Sequence, residues 1–313
     1  MMPFDRREFL KISGAGAAAL AAPLALSQKT PLPPIKSTFN GVVVGCNTYS
    51  FSQSTLDEAV KNVASLGFGE AELHPRHGEP SFGTPFRPLD AVLTPDERKT
   101  MAANREKLRQ WRLNEPLETF AAMGKKFKDA GLYLLAYNMN FRDDMSDAEV
   151  ERIFEMTKAM GCNLMTAVGS NMLFRRLDPF AKKHKVRVGL HNEGNLRSEK
   201  AYDEVRKGLS EWIAITFDIG HWEAYATENP DHVGFIKKYH NDIVNIHIKD
   251  RKRGDKGANM PFGEGDTPIK EVLALLKRER YPIRAFVEYE YAGLRGSQEE
   301  VKRCVEYMRA ALA

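Results

Sequence analysis

The sequence contains little cysteine and no concentrated charge of either sign. Its three cysteines, Cys46, Cys162 and Cys304, are too few and too scattered for a disulfide framework or a cysteine-based zinc site. Lys and Arg number 46 against 42 Asp and Glu, which gives a net charge of +4, and no block of five like charges occurs. Nucleic-acid binding needs a concentrated basic surface, so no nucleic-acid partner is indicated. With 42% hydrophobic and 28% charged residues, the composition excludes a disordered, collagen-like or polytopic membrane protein.

The first 27 residues have the pattern of an export signal. The paired arginines Arg6 and Arg7 are followed by a Phe-Leu-Lys motif and by an uncharged, alanine-rich stretch over 12–26. This stretch is too short to span a membrane stably, and small residues before Gln28 suit a cleavage site. We predict a twin-arginine signal peptide over 1–27, the twin-arginine export machinery as partner, and a periplasmic or secreted mature chain without a stable membrane anchor. The alternative is an ordinary charged N-terminus beside an alanine-rich helix.

The rest of the chain alternates between short apolar runs and segments of helical periodicity. Residues 28–38 contain three prolines and are predicted to form a linker into one domain, 39–313. Eight apolar runs suit strands that are buried on both faces. These predicted strands cover 40–46, 70–73, 132–137, 164–168, 186–190, 213–217, 243–248 and 283–287. The predicted helices cover 56–66, 95–111, 116–130, 146–160, 173–184, 198–212, 230–239, 268–278 and 299–312.

Eight strand–helix units predict an α/β fold, a single-domain (β/α)8 TIM barrel. An open doubly wound sheet would also alternate, but it normally carries a glycine-rich phosphate loop after its first strand. The segment from Gly45 to Thr48 is no such loop. The sequence leaves a homo-oligomer open.

Polar side chains follow several of the predicted strands at the point where each strand ends. In a TIM barrel the catalytic residues come from these carboxyl ends. Two or more carboxylates and one or two imidazoles would therefore meet at one barrel mouth, which indicates a single divalent metal ion. Mixed oxygen and nitrogen ligation without thiolate suits Mn²⁺ first, and also Mg²⁺, Co²⁺ or Zn²⁺. The candidate residues are Glu72, His191, Glu193, Asp218, His221, His247, Lys249 and Glu288.

Four motifs in the second half of the chain resemble those of a known superfamily. They run from Phe217 to Trp222, from His247 to Asp250, from Pro261 to Asp266 and from Phe286 to Glu290. In this order they resemble the xylose isomerase-like TIM barrel superfamily, over about Asn40 to Leu312. That superfamily includes sugar isomerases and epimerases, inosose dehydratase and an apurinic endonuclease.

The resemblance implies a ligand set with one uncertain position. Asp218, His247 and Glu288 match the metal-binding residues of the ketose 3-epimerase branch. The epimerases carry a glutamate at the end of the fifth strand, where this chain has His191 and, two residues later, Glu193. Either Glu193 replaces that glutamate from the same strand face, or His191 binds the metal. Because the epimerases use this glutamate and the eighth-strand glutamate as an acid/base pair, we name Glu193, Glu288 and His191 as catalytic candidates.

Five further residues are candidates for substrate binding. The resemblance implies that His221 and Arg253 contact substrate, while Lys249 and Glu72 are candidates from their positions at strand ends. Trp222 could be a pocket wall, because aromatic faces pack on sugar C–H surfaces, or it could be part of the core.

The expected reaction starts with loss of a proton next to a carbonyl. We expect a divalent-metal-dependent isomerase or epimerase that converts an unphosphorylated sugar or keto-sugar through an enediolate. Sugar phosphates are mainly intracellular, so export argues against them. The alternatives are a metal-dependent lyase, dehydratase or hydratase for a 3-keto-glycoside or inosose, and a barrel that binds carbohydrate without turning it over.

Overall fold

A computed structural model describes residues 35–82, 94–193, 195–226, 229–254 and 256–313. The predicted signal peptide, and the linker as far as residue 34, lie outside the described residues. The described residues form one compact unit. The described residues contain no helix that is long and apolar enough to cross a membrane.

Eight parallel strands close into a barrel. Its strands, in chain order, are β2 (Val42–Asn47), β3 (Glu70–Leu73), β4 (Tyr133–Asn140), β5 (Leu164–Val168), β6 (Arg187–His191), β7 (Ile213–Asp218), β8 (Ile243–Ile248) and β11 (Arg284–Val287). Each strand pairs with the next, and β11 and β3 both pair with β2, which completes the ring. In the described part of the chain, three short strands lie outside the ring: β1 (Thr38–Phe39), antiparallel to β2, and the hairpin of β9 (Asp250–Arg251) and β10 (Asn259–Met260). The predicted TIM barrel is confirmed.

Helices follow the barrel strands and cover the barrel. They are α1 (Leu56–Ser65), α2 (Pro75–Gly78), α3 (Pro95–Asn114), α4 (Leu117–Asp129), α5 (Asp147–Ala159), α6 (Asn171–His184), α7 (Glu199–Arg206), α8 (Ile219–Tyr225), α9 (His232–Tyr239), α10 (Ile269–Glu279) and α11 (Ser297–Leu312). A short 3-10 helix, Thr48–Phe51, follows β2. Apolar residues of strands and helices form one continuous core between the barrel and this outer layer.

The predicted helix boundaries hold where capping is local. The helix predicted from residue 146 begins there because the Ser146 side chain accepts a hydrogen bond from the backbone N–H of Glu149 and acts as the N-cap. The Glu149 side chain does not complete a capping box, because it binds Arg105 and Arg112 instead. The helix predicted over 198–212 ends at Arg206, since the chain turns at Gly208 with a φ of +79°.

A row of hydrogen-bonded polar side chains crosses the barrel interior below its carboxyl end. The Thr166 hydroxyl lies 3.2 Å from that of Thr216, which donates to Asn245 Oδ1 over 2.7 Å. The Asn245 amide donates to Glu72 Oε2 over 2.9 Å. All four residues are buried, so each hydrogen bond avoids the cost of an unpartnered polar group. This row supports the base of the site described below.

Candidate metal centre

Four ligand-type side chains meet at the carboxyl end of the barrel. His191 and Asp218 are the last residues of β6 and β7, His247 is the penultimate residue of β8, and Glu288 directly follows β11. Each offers one ligand atom, and these atoms all lie within 4.8 Å of one another. All four residues are buried. The four strands are neighbours in the ring, so their aligned ends bring the side chains together; we call these four residues the mouth cluster.

Asp218 uses its two carboxylate oxygens for different purposes. Oδ1 accepts a 2.7 Å hydrogen bond from the backbone N–H of His221 and so caps α8. Oδ2 faces the cluster, 3.5 Å from His191 Nε2 and 4.0 Å from His247 Nδ1. The Asn192 side chain fixes the backbone of Asp218 through two 2.8 Å hydrogen bonds. Capping and facing the cluster are therefore compatible roles for this one residue.

Glu72 lies beside the mouth cluster and holds one of its imidazoles. Its Oε2 is 3.0 Å from His247 Nε2, and its Oε1 accepts hydrogen bonds from the amides of Asn47 and Asn138. A carboxylate can only accept, so this contact assigns a proton to His247 Nε2. His247 Nδ1 then points to the other cluster residues. A carboxylate behind a histidine is the usual support for a metal-binding imidazole.

The chemistry of the donor set fits a divalent ion. His191 Nε2 lies 3.2 Å from His247 Nδ1, an arrangement of two imidazole nitrogens that needs either a shared proton or a cation. His191 Nδ1 is buried and has no hydrogen-bond partner among the described residues. Two imidazoles and two carboxylates could hold an ion such as Mn²⁺, Co²⁺ or Zn²⁺.

The electrostatic field of the cluster keeps its carboxylates ionised. Burial tends to raise the pKa of Asp218, but the neighbouring His221, Lys249 and His191 hold that pKa well below its usual range. Burial tends to lower the pKa of His247, yet the carboxylates of Glu72 and Glu288 outweigh it and raise that pKa well above its usual range. The site therefore concentrates negative charge and balances it with nearby cations.

Glu193 is near the mouth cluster but does not belong to it. The chain leaves the strand after His191 and bends, so Glu193 no longer follows the alternation of β6. Burial raises the pKa of Glu193 to about 7, and the charges that act on its carboxyl are those of His191, Lys249, Glu290 and Glu288. This carboxyl can therefore exchange a proton near neutral pH.

Of the five predicted substrate-binding residues, Glu72, Lys249 and His221 lie against the cluster, and two lie elsewhere. Lys249 Nζ is 3.0 Å from Asp218 Oδ2 and 3.3 Å from His221 Nε2. Trp222 packs against aromatic rings of β7, α7 and α9 in the layer between barrel and helices. Arg253 pairs with Glu223 on α8 and is 57% exposed.

Sequence reasoning missed Arg251 and Tyr225. The Arg251 guanidinium lies 4.8 Å from the centre of the Tyr225 ring, and that ring is 5.6 Å from the ring of His221. His221 and Tyr225 are four residues apart on α8 and share a helix face. This spacing would have placed Tyr225 beside His221 if α8 had been predicted, but this seven-residue helix was not predicted. Arg197 approaches the same tyrosine at 5.6 Å.

Asn47 was also missed, although it ends the first barrel strand. Its amide lies 3.3 Å from Glu72 Oε1 and 3.3 Å from Glu288 Oε1, so it links two carboxylates of the site. The rule that polar residues at strand ends build the site would have included it.

Three solved structures illustrate what the fold is similar to. A sugar phosphate isomerase/epimerase from Parabacteroides distasonis is 16% identical, with a TM-score of 0.58, and the match covers 91% of this chain and 98% of that one. The 3-keto-D-glucoside 4-epimerase from E. coli is 12% identical, with a TM-score of 0.59 and coverage of 86% and 99%. A probable 3-DHS dehydratase from Bacillus anthracis is 14% identical, with a TM-score of 0.59 and coverage of 84% and 97%. At these identities the similarity establishes the fold.

Sequence comparison gives the family. No curated protein matches the chain significantly. The model of the twin-arginine translocation pathway signal sequence matches residues 3–23, which implies the twin-arginine export machinery as partner. The model described as xylose isomerase-like TIM barrel matches residues 60–311, which is most of the chain and includes the whole mouth cluster. The resemblance noted in the sequence motifs is confirmed, and the chain belongs to the xylose isomerase-like TIM barrel family.

Proposed function

We propose that this protein is a divalent-metal-dependent isomerase or epimerase for an unphosphorylated sugar or keto-sugar. The observation that carries the proposal is the convergence of His191, Asp218, His247 and Glu288 within 4.8 Å at the barrel mouth. These four residues would hold the ion, Mn²⁺ by preference, and a bound ion supplies Lewis acidity that polarises a substrate carbonyl. Glu193, outside this set, remains available for proton transfer.

The residues of the chain then divide the work of moving a proton. Glu193, with a pKa of about 7, takes a proton from the carbon next to the carbonyl. His221 lies against Asp218, where it can bind a substrate oxygen, and Glu72 keeps the His247 imidazole in place. Delivery of a different proton to the opposite face of that carbon gives an epimer, and Glu288, after it has taken up a proton from water, is the candidate acid. Return of the abstracted proton to the neighbouring carbon gives an isomer.

A metal-dependent lyase or dehydratase for a 3-keto-glycoside or inosose is the second candidate. The observation that favours it is the presence of His191, rather than Glu193, in the mouth cluster. In the ketose 3-epimerases this position is a glutamate, whereas the dehydratase branch also carries histidine in this segment. Loss of the same proton followed by departure of a β-substituent would give elimination.

The export signal restricts where the substrate is met. We propose that the mature chain acts in the periplasm or outside the cell, after export by the twin-arginine route. This location favours substrates without phosphate, since sugar phosphates are mainly intracellular.

The proposal is tested by following the proton. The mature chain from Gln28 is incubated with Mn²⁺ and a panel of keto-sugars and keto-glycosides in D₂O, and products are read by NMR and mass spectrometry. Deuterium at a ring carbon of an isomeric product supports the isomerase or epimerase. Loss of water or of an aglycone supports the lyase or dehydratase.

The ligand assignment is tested by Asp218→Asn. This change removes one anionic ligand, so we expect bound Mn²⁺ to be lost and turnover to fall at least about 10³-fold. Asp266→Asn is the matched control, because Asp266 lies at the surface and pairs with Lys252. Retention of full metal content by Asp218→Asn, measured by elemental analysis, would contradict the assignment.

A further inference from the structure

Lys249 is a buried lysine surrounded by carboxylates. It lies between β8 and β9, its side chain is 3% exposed, and its Nζ contacts Asp218 Oδ2 at 3.0 Å, Glu288 Oε2 at 3.0 Å and Glu290 Oε2 at 3.1 Å. Gly220 on α8 leaves room for its stem, since a Cβ at that glycine would lie 2.2 Å from Lys249 Cγ. The site is thus built to hold an ammonium group.

Two of these carboxylate oxygens also face the imidazoles of the mouth cluster. Glu288 Oε2 lies 3.0 Å from His247 Nδ1, and Asp218 Oδ2 lies 3.5 Å from His191 Nε2. A divalent ion with these ligands would lie about 2 Å from each ligand atom. The ammonium of Lys249 would then be a close neighbour of that ion, and like charges repel strongly where little water screens them.

We propose that Lys249 competes with a divalent ion for Asp218 and Glu288 and thereby sets the metal affinity of the site. The inference rests on the proposed metal centre. Glu290 supplies the alternative partner: it contacts Lys249 but is not one of the four clustered ligand residues. When an ion binds, Lys249 exchanges its contacts with Asp218 and Glu288 for a closer one with Glu290. Lys249 is therefore a positioning residue whose charge the metal has to displace.

The direct test is Lys249→Met, which keeps much of the stem and removes the charge. Both proteins are first freed of metal with EDTA, and their Mn²⁺ affinities are then measured by equilibrium dialysis. We expect this variant to bind Mn²⁺ at least about tenfold more tightly than the unmodified chain. A lysine that only supported the fold would give weaker binding when removed. The matched control is Lys252→Met, three residues further on, where the lysine is 44% exposed and pairs with Asp266. We expect its Mn²⁺ affinity to be unchanged.

A double-mutant cycle with Glu290→Gln tests the exchange of partners. Loss of Glu290 leaves Lys249 with only the two ligand carboxylates, so Mn²⁺ binding should weaken about tenfold. In the Lys249→Met background the same change should have little effect. An equal effect in both backgrounds would mean that Glu290 acts through its own charge and would overturn the exchange.

The outcomes separate this inference from the metal centre itself. If the unmodified chain binds Mn²⁺ and Lys249→Met binds it equally or less well, the competition is refuted while the centre stands. If neither binds Mn²⁺, the centre and the competition both fall. Tight binding only in Lys249→Met supports both. If Lys249→Met does not fold, Lys249→Gln replaces it in each comparison. The glutamine lacks the charge but can still donate a hydrogen bond.

Discussion

Two groups of charged residues in the interior of this protein compensate the loss of hydration of their charges in different ways. The first is the mouth cluster with its neighbour Lys249. The second, which we call the helix-shell cluster, consists of Glu79, Arg105, Arg112 and Glu149. There Arg105 and Arg112 of α3 bind Glu149 of α5, and Arg112 also binds Glu79 through two hydrogen bonds of 2.6 and 2.7 Å.

The difference lies in how completely each charge is matched. In the helix-shell cluster planar guanidinium groups meet carboxylates with paired hydrogen bonds, the geometry that best offsets the loss of hydration. In the mouth cluster, by contrast, one ammonium is shared among Asp218, Glu288 and Glu290. Two guanidinium groups paired with two carboxylates indicate a structural role, whereas an excess of carboxylates around one ammonium indicates a site prepared for another ion or ligand.

The largest effect on the free energy of unfolding is expected from Arg112→Met in the helix-shell cluster. This change leaves Glu79 and Glu149 buried with less compensation, and breaking a buried ion pair in this way costs about 3–5 kcal/mol of unfolding free energy. We expect that loss in urea unfolding, together with unchanged Mn²⁺ affinity in the protein that remains folded.

Arg109→Met is the matched control on the same helix. Arg109 is 39% exposed and pairs only weakly with Glu106, so we expect a change within about 0.5 kcal/mol. If Arg112→Met also lowered metal affinity, the two clusters would be coupled and the division between structural and functional charge would be wrong.

A smaller effect, on Mn²⁺ affinity, is expected from Glu72→Gln. This change tests the mouth cluster in the same way as Arg112→Met tests the helix-shell cluster. The change removes the carboxylate that holds His247 Nε2, so we expect Mn²⁺ affinity to fall about 10–100-fold. Isothermal titration calorimetry measures the affinity directly.

Thr166→Val is the control in the same polar row of the barrel. It removes the hydroxyl that lies against Thr216 but touches no ligand residue, so it should alter stability and leave Mn²⁺ affinity unchanged. Equal losses of affinity in both variants would show that polarity of the barrel interior, and not support of His247, governs metal binding.

The smallest expected effect distinguishes two arginines near the mouth cluster. Arg251 is buried beside Tyr225, whereas Arg253 is mostly exposed and pairs with the buried Glu223. We expect Arg251→Met to raise KM about tenfold, the value of one lost polar contact, and Arg253→Met to leave KM nearly unchanged. Steady-state kinetics on a compound of the keto-sugar and keto-glycoside panel that the protein turns over measures both. The reverse pattern would restore the role that the family resemblance implies for Arg253.

The barrel strands could be predicted because each is a short apolar run with few competing interpretations. Helix ends were less predictable, and α8 was missed because seven residues show too little periodicity. Arg251 depends on the hairpin of β9 and β10, whose two-residue strands carry almost no sequence signal.

The site could be predicted as far as strand ends determine it. Asp218, His247 and Glu288 were predicted as candidates because each lies at the end of an apolar run, and the structure brings their ligand atoms within 4.8 Å of one another. The choice between His191 and Glu193 could not be made, since alternation would put both on one face of a continuing strand. In the structure β6 ends at His191, so alternation no longer applies to Glu193. Only the point at which the strand stops separates the two residues.

The two oxygens of Asp218 have a consequence for how such a site can be transplanted. One oxygen starts α8 and the other faces the mouth cluster, so the helix and the centre are specified by the same side chain. A designer who copies only the four clustered residues into another barrel would leave that carboxylate free to rotate. The smallest portable unit therefore includes the first turn of α8 and the Asn192 amide that holds the Asp218 backbone.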